Sequence, residues 1–130
     1  MSRDYQRKRN NKYILPYAAY HQTVWQIRDY YRLKEEAQAI LDESPPPPDG
    51  QPKAQNLGDE TAQKAARREA YLLKARQIEE ALLVVPKEYR RGVWSNVTRF
   101  DPYPMDADRS TYGRWKSRFV YEVAVRMGII

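Results

Sequence analysis

The 130-residue chain predicts an all-α fold: a long helical hairpin over 17–86, followed by a compact pair of C-terminal helices over 87–130. Three observations carry that expectation. Apolar side chains recur at steps of three and four through the middle and the end of the chain, the repeat of one helix face. The prolines stand between those stretches and not inside them, as expected of residues that cannot continue a helix. No run alternates cleanly between apolar and polar, and β-branched residues are few, so no strand is expected.

Each element follows from local signals. Residues 1–16 carry five Lys/Arg against one acid, and residues 1–12 (MSRDYQRKRNNK) have almost nothing to bury. They read as a disordered basic arm, either a solvated tail or an arm that touches phosphates. The first helix follows Pro16, whose missing N–H costs nothing in a first turn. Tyr20, Val24, Ile27 and Tyr31 form one strip and Tyr30, Leu33, Ala37 and Ile40 an adjacent one, together a broad apolar face. Ser44 and Pro45–Pro48 end it. Residues 44–58 (SPPPPDGQPKAQNLG) form a Pro-rich loop with polyproline II character, a linker or a ligand for a proline-binding module.

The second helix starts near Asp59, an N-cap residue with acids in the first turn. It passes through Ala62, Ala65, Ala66 and Ala70 to a core stripe of Leu72, Leu73, Ile78, Ala81, Leu82 and Val85, and Pro86 closes it. The third spans about Lys87 to Thr98, burying Tyr89, Val93, Trp94 and Val97, until Asp101-Pro102-Tyr103-Pro104 breaks it. Two prolines leave room for at most one helical turn at Met105–Asp108. The fourth begins near Asp108 or Ser110 and runs to Met127, with Tyr112, Trp115, Phe119, Val123 and Met127 as its apolar stripe and Gly128 as its C-terminal cap.

The formal net charge is +6, a moderate basic balance that fits a polyanionic partner. Residues 17–86 carry nine Lys/Arg against eleven acids and residues 87–130 nine against five, so the middle reads as scaffold and the ends as contact surfaces. Without cysteine there is no disulfide and no thiolate metal site. The first residues lack the apolar run of a secretory signal, and no stretch nears the ~20 apolar residues of a membrane span. A cytoplasmic protein without a membrane partner is expected. His21 has no triad or metal partner near it in sequence, and Gly-rich phosphate loops are absent. No enzymatic activity, metal or cofactor is expected.

The basic residues of the C-terminal part carry the functional expectation. Lys87, Arg90 and Arg91 cluster in the first turn of the third helix, where cations oppose the helix dipole and a docked phosphate removes the conflict. Arg109 and Arg114 flank the start of the fourth helix, and Arg118 follows one turn later. If that helix enters a major groove, Arg109, Ser110, Thr111 and Arg114 meet base edges, Gly113 permits close backbone approach, and Lys116 and Arg118 reach phosphates. A solvated basic face is the plainer account of the same residues. Trp94, Tyr112, Trp115 and Phe119 fall on core spacing and read as the packing between the last two helices rather than as base-stacking platforms.

The tail Ser110-Thr111-Tyr112-Gly113-Arg114-Trp115, with Phe119-Val120-Tyr121-Glu122-Val123-Ala124, resembles the C-terminal segment of RinA-type phage activators, which belong with the ArpU-like regulators of Gram-positive bacteria and their prophages. Ile27-Arg28-Asp29-Tyr30-Tyr31, Gly58-Asp59-Glu60-Thr61-Ala62, Ile78-Glu79-Glu80-Ala81-Leu82 and Val85-Pro86-Lys87-Glu88-Tyr89 resemble upstream segments of the same group. The resemblance implies an all-helical transcriptional regulator of late phage genes in a bacterial host. Its C-terminal part would be helix-turn-helix-like, similar to the promoter-reading fourth region of sigma factors. The implied partner is double-stranded DNA, with RNA polymerase and a second copy of the chain as further partners it allows. In that group a full helix precedes the recognition helix; here only Phe100–Asp108 stands in its place. The competing readings are a small-terminase-like DNA-packaging protein and a helical adaptor or assembly protein that binds no DNA.

Overall fold

A computed structural model describes residues 6–43 and 55–130. Five α-helices follow one another: α1 (Tyr17–Arg28), α2 (Tyr30–Glu43), α3 (Gln55–Leu82), α4 (Lys87–Arg99) and α5 (Arg109–Arg126). No strand occurs among the described residues, so the all-α expectation holds. No described helix is long and apolar enough to cross a membrane.

The expected first helix is two helices. Asp29 interrupts it, its backbone N–H shared between the carbonyls of Trp25 (3.1 Å) and Gln26 (3.2 Å). The chain divides into two compact units at this point, one comprising residues up to Asp29 with Gln77–Ile130, the other Tyr30–Arg76. The two apolar strips therefore serve different units. Tyr20, Val24 and Ile27 are buried in the first and Leu33, Ala37 and Ile40 in the second, whereas Tyr31, assigned to the first strip by its spacing, is exposed.

In the second unit α2 buries one residue per turn, and α3 leaves Ala62, Ala65, Ala66 and Ala70 exposed. Alanine tolerates that exposure because its helix propensity is high and it has little apolar surface to hide. Helix α3 starts at Gln55, so Asp59 lies inside it rather than at its N-cap. Most of the expected Pro-rich loop, residues 44–54, lies outside the described residues.

The first unit holds the main core. Helices α1, α4 and α5 pack pairwise on one another. Between them lie Ile27 of α1, Val93 and Val97 of α4, and Tyr112, Phe119, Val120 and Val123 of α5, all fully buried. Ile78, Ala81 and Val85, from the end of α3 and the turn after it, are buried in the same unit. Burying side chains of this size contributes about 1.5–3 kcal/mol each. The expected α5 stripe is real at Tyr112, Phe119 and Val123, while Trp115 and Met127 are half-buried. Gly128 has φ +70, and the N–H groups of Gly128 and Ile129 bond the carbonyls of Val125 (3.1 Å) and Ala124 (2.8 Å). That is the paired closure of a Schellman cap.

Two arginines are committed to carbonyls inside this unit. Arg28 donates from Nε to the carbonyl oxygen of Val97 at 2.9 Å and stacks over Phe100, 4.0 Å from its centroid. Phe100 caps α4 in the left-handed region (φ 61), a conformation that costs a non-glycine residue roughly 1–2 kcal/mol, and the guanidinium against its ring offsets part of that cost. Arg90 donates from Nε to Val85 O (2.7 Å) and from Nη2 to Leu83 O (3.3 Å), closing the turn between α3 and α4.

Residues 6–16 do not trail from the fold as a disordered arm. The Gln6 side-chain amide makes two bonds to the Leu15 backbone, Nε2 to the carbonyl and the N–H to Oε1, both 2.7 Å. Leu15 is buried, and Tyr13 packs edge-on against Tyr121 of α5 at 5.3 Å. Residues 1–5 lie outside the described residues.

Candidate nucleic-acid interface

The start of α5 is fixed from beneath by Tyr112. Its ring is fully buried, stacked on Tyr103 (5.1 Å between centroids) and edge-on to Tyr89 (5.3 Å), and its hydroxyl donates to Asp106 Oδ1 at 2.6 Å. Helix α4 meets this ring at Gly92, where a Cβ would lie 2.6 Å from Tyr112 Cε1 and 2.7 Å from Pro104 Cδ. Glycine is thus required where α4, α5 and the connection between them converge. The connection itself, 100–108, has a turn at 105–106 and no helix, in line with the limit its two prolines set.

Burial, then the hydrogen bond to Asp106, then the charges of Asp106 and Tyr89 push the Tyr112 hydroxyl from 10.0 up to about 12. Between those values the unfolded chain has lost a proton that the folded chain keeps, so stability falls as pH rises from 10 to 12. Tyr112→Phe removes this dependence. Thermal midpoints of both proteins over pH 9–12 are expected to show a steeper alkaline decline in the unsubstituted chain.

Above this anchor, Asp108 precedes α5 in extended conformation and makes no side-chain cap; its carbonyl accepts the N–H groups of Thr111 (3.0 Å) and Tyr112 (3.3 Å). No acid stands in the first turn of α5 itself, so Asp108 at the N-cap is the carboxylate nearest in sequence to the positive end of the helix dipole. Arg109, Ser110 and Arg114 are exposed and Thr111 is half-buried. Among the described residues, no carboxylate forms an ion pair with Arg109 or Arg114.

At 100° per residue these side chains occupy two faces. Thr111, Arg114 and Arg118 share one. Arg109, Gly113 and Lys116 share the other and border a cleft of about 1010 Å³ that Arg7, Phe100 and Tyr103 also line. A Cβ at Gly113 would meet nothing within 4 Å. Unlike Gly92, this glycine answers to no packing need of the chain.

The remaining basic residues behave differently. Arg118 is half-buried, 3.6 Å from Glu122 and over the ring of Tyr13 at 4.7 Å. Arg90 is committed to the carbonyls of Val85 and Leu83, which accounts for a cation at the first turn of α4 without any anion. Arg91 is exposed beside a separate recess whose other charged residues are Glu88, Asp101 and Asp106. Lys87 is exposed at the start of α4. The structure thus brings Arg109, Ser110, Thr111, Arg114 and Lys116 to one end of α5 and does not gather the α4 cations with them.

It adds two residues from the other end of the sequence. Arg7 donates from Nη1 to the carbonyl of Ser110 (3.1 Å), to which Arg114 Nε also points at 3.4 Å, and Asn11 Nδ2 donates to Ser117 Oγ (3.2 Å). The charge run around Arg7 was visible in the sequence. Its placement was not, because it rests on single side-chain bonds between residues about a hundred positions apart. No family model matches the chain, and neither a curated protein nor a solved structure matches it.

Proposed function

We propose that the protein is a sequence-specific DNA-binding regulator of phage or prophage late genes, of the RinA and ArpU kind, in which α4 and α5 act as a helix-turn-helix-like pair. Helix α5 is the recognition helix. Arg109, Ser110, Thr111 and Arg114 face base edges, and Lys116 and Arg118 lie toward phosphates.

The observation that carries this reading is the contrast within α5. Its inner edge is fixed in the core by Tyr112 and Phe119, while Arg109 and Arg114 stand exposed beside a glycine that the fold itself does not use. A rigid rod with exposed guanidinium groups that no described carboxylate pairs, and with room for close backbone approach, is suited to groove entry. Arg90 belongs to the scaffold in this reading, and Arg91 faces acids rather than the duplex.

Selection from a random duplex pool at physiological salt tests the proposal. The full chain is expected to retain duplexes that share a motif. Retention without any motif would replace the regulator with a packaging-type binder, and retention of nothing would remove DNA as the partner.

A further inference from the structure

We propose that residues 6–13 form the second half of the duplex-binding surface, a preorganised basic strap laid along α5 that grips the phosphodiester backbone beside the groove α5 enters. The inference rests on the DNA-binding reading above.

The strap runs parallel to α5. Arg7 reaches Ser110, Asn11 reaches Ser117, and Tyr13 reaches Tyr121. It is held by specific bonds along its length and by ring packing at Tyr13 and the burial of Leu15 at its end. Gln6 brackets the Leu15 backbone, Asn11 Oδ1 accepts the N–H of Tyr13 (2.9 Å), and Arg7 Nε reaches the carbonyl of Arg9 (3.2 Å). Lys8, Arg9 and Lys12 remain exposed.

The arrangement concentrates positive charge. Two guanidinium groups, those of Arg7 and Arg114, converge on the single carbonyl of Ser110, and Arg7 lines one cleft with Arg109, Lys116 and Asp108. Among the described residues, no carboxylate forms an ion pair with Arg7, Lys8, Arg9 or Lys12. Four basic residues on one short strap, none ion-paired among the described residues, favour a polyanion, and a row of phosphates supplies that. Because the strap is ordered before binding, the duplex need not meet the entropy cost of ordering a loose tail.

The test is duplex affinity of the full chain across a salt series. Replacing Lys8, Arg9 and Lys12 together by Gln leaves every described bond of the strap in place. It is expected to reduce the steepness of log K against log salt by about 2–3, at about 0.9 per phosphate contact, with the selected motif unchanged. Asn11→Ala alters no charge but removes the pin to Ser117, and is expected to lower affinity severalfold. An unchanged salt slope in the triple variant, while Arg114→Ala still weakens binding, overturns the strap and leaves the α5 reading intact. Unchanged affinity in Asn11→Ala means a loose polycation and refutes the preorganised strap. Absence of duplex binding by the unsubstituted chain removes both proposals together.

Discussion

Tyr112→Ala is expected to cost about 3–5 kcal/mol of stability, the range for truncating a buried aromatic, out of a typical total of about 5–15 kcal/mol for a domain. The reason lies in how many elements use this one ring. It fills the space left by Gly92 on α4, stacks on Tyr103 of the connection, meets Tyr89 edge-on, and ties Asp106 through its hydroxyl. Removing it leaves a cavity that α4 cannot collapse into without dragging Pro104. The connection 100–108 has no helical hydrogen bonds of its own; Arg28 and Asn96 hold its start at Phe100 and Asp101, and the ring holds its second half at Tyr103, Pro104 and Asp106. Denaturant unfolding should show a lower midpoint, and amide exchange should quicken first in 100–108 and the first turn of α5. Retention of the full midpoint would mean that the connection is held by something other than this ring.

Helix boundaries were legible wherever a residue physically forbids continuation. Pro16, Pro86, Asp101-Pro102 and Gly128 each fall within a residue or two of an observed end. The break at Asp29 was not, because two apolar strips offset by one position look the same whether they form one broad face or serve two units. Only tertiary packing separates Ile27, buried in one unit, from Leu33, buried in the other. The ordering of residues 6–16 was hidden for a different reason. Composition reports the absence of apolar residues to bury, yet the strap is fastened by the amides of Gln6 and Asn11, and such bonds leave no periodic trace. At the candidate site, the exposure of Arg114 followed from its position off the apolar stripe, and that of Arg109 from its place at the very start of the helix. The commitment of Arg90 did not, since its carbonyl partners at residues 83 and 85 converge only once the turn between α3 and α4 has formed.

Gly113→Ala and Arg114→Ala should separate folding from function within one turn of α5. Alanine in the interior of a helix is favoured over glycine by about 0.5–1 kcal/mol, and the added methyl meets nothing within 4 Å. Gly113→Ala is therefore expected to raise the thermal midpoint. Arg114 is exposed and makes one long bond, 3.4 Å, to a carbonyl of its own helix, so Arg114→Ala should change stability by no more than about 0.5 kcal/mol. Duplex binding should move the other way. Loss of a base-reading arginine costs about 1–3 kcal/mol, roughly 5- to 150-fold in affinity, and relaxes preference at one position of the selected motif. The methyl of Gly113→Ala should weaken binding as well, because it fills the approach that the glycine leaves open. A chain tuned for stability alone would carry alanine at 113. A more stable Gly113→Ala variant that bound the selected duplex as tightly as before would mean that the cleft side of α5 never meets the partner, and would shift the whole recognition surface to the face of Thr111, Arg114 and Arg118.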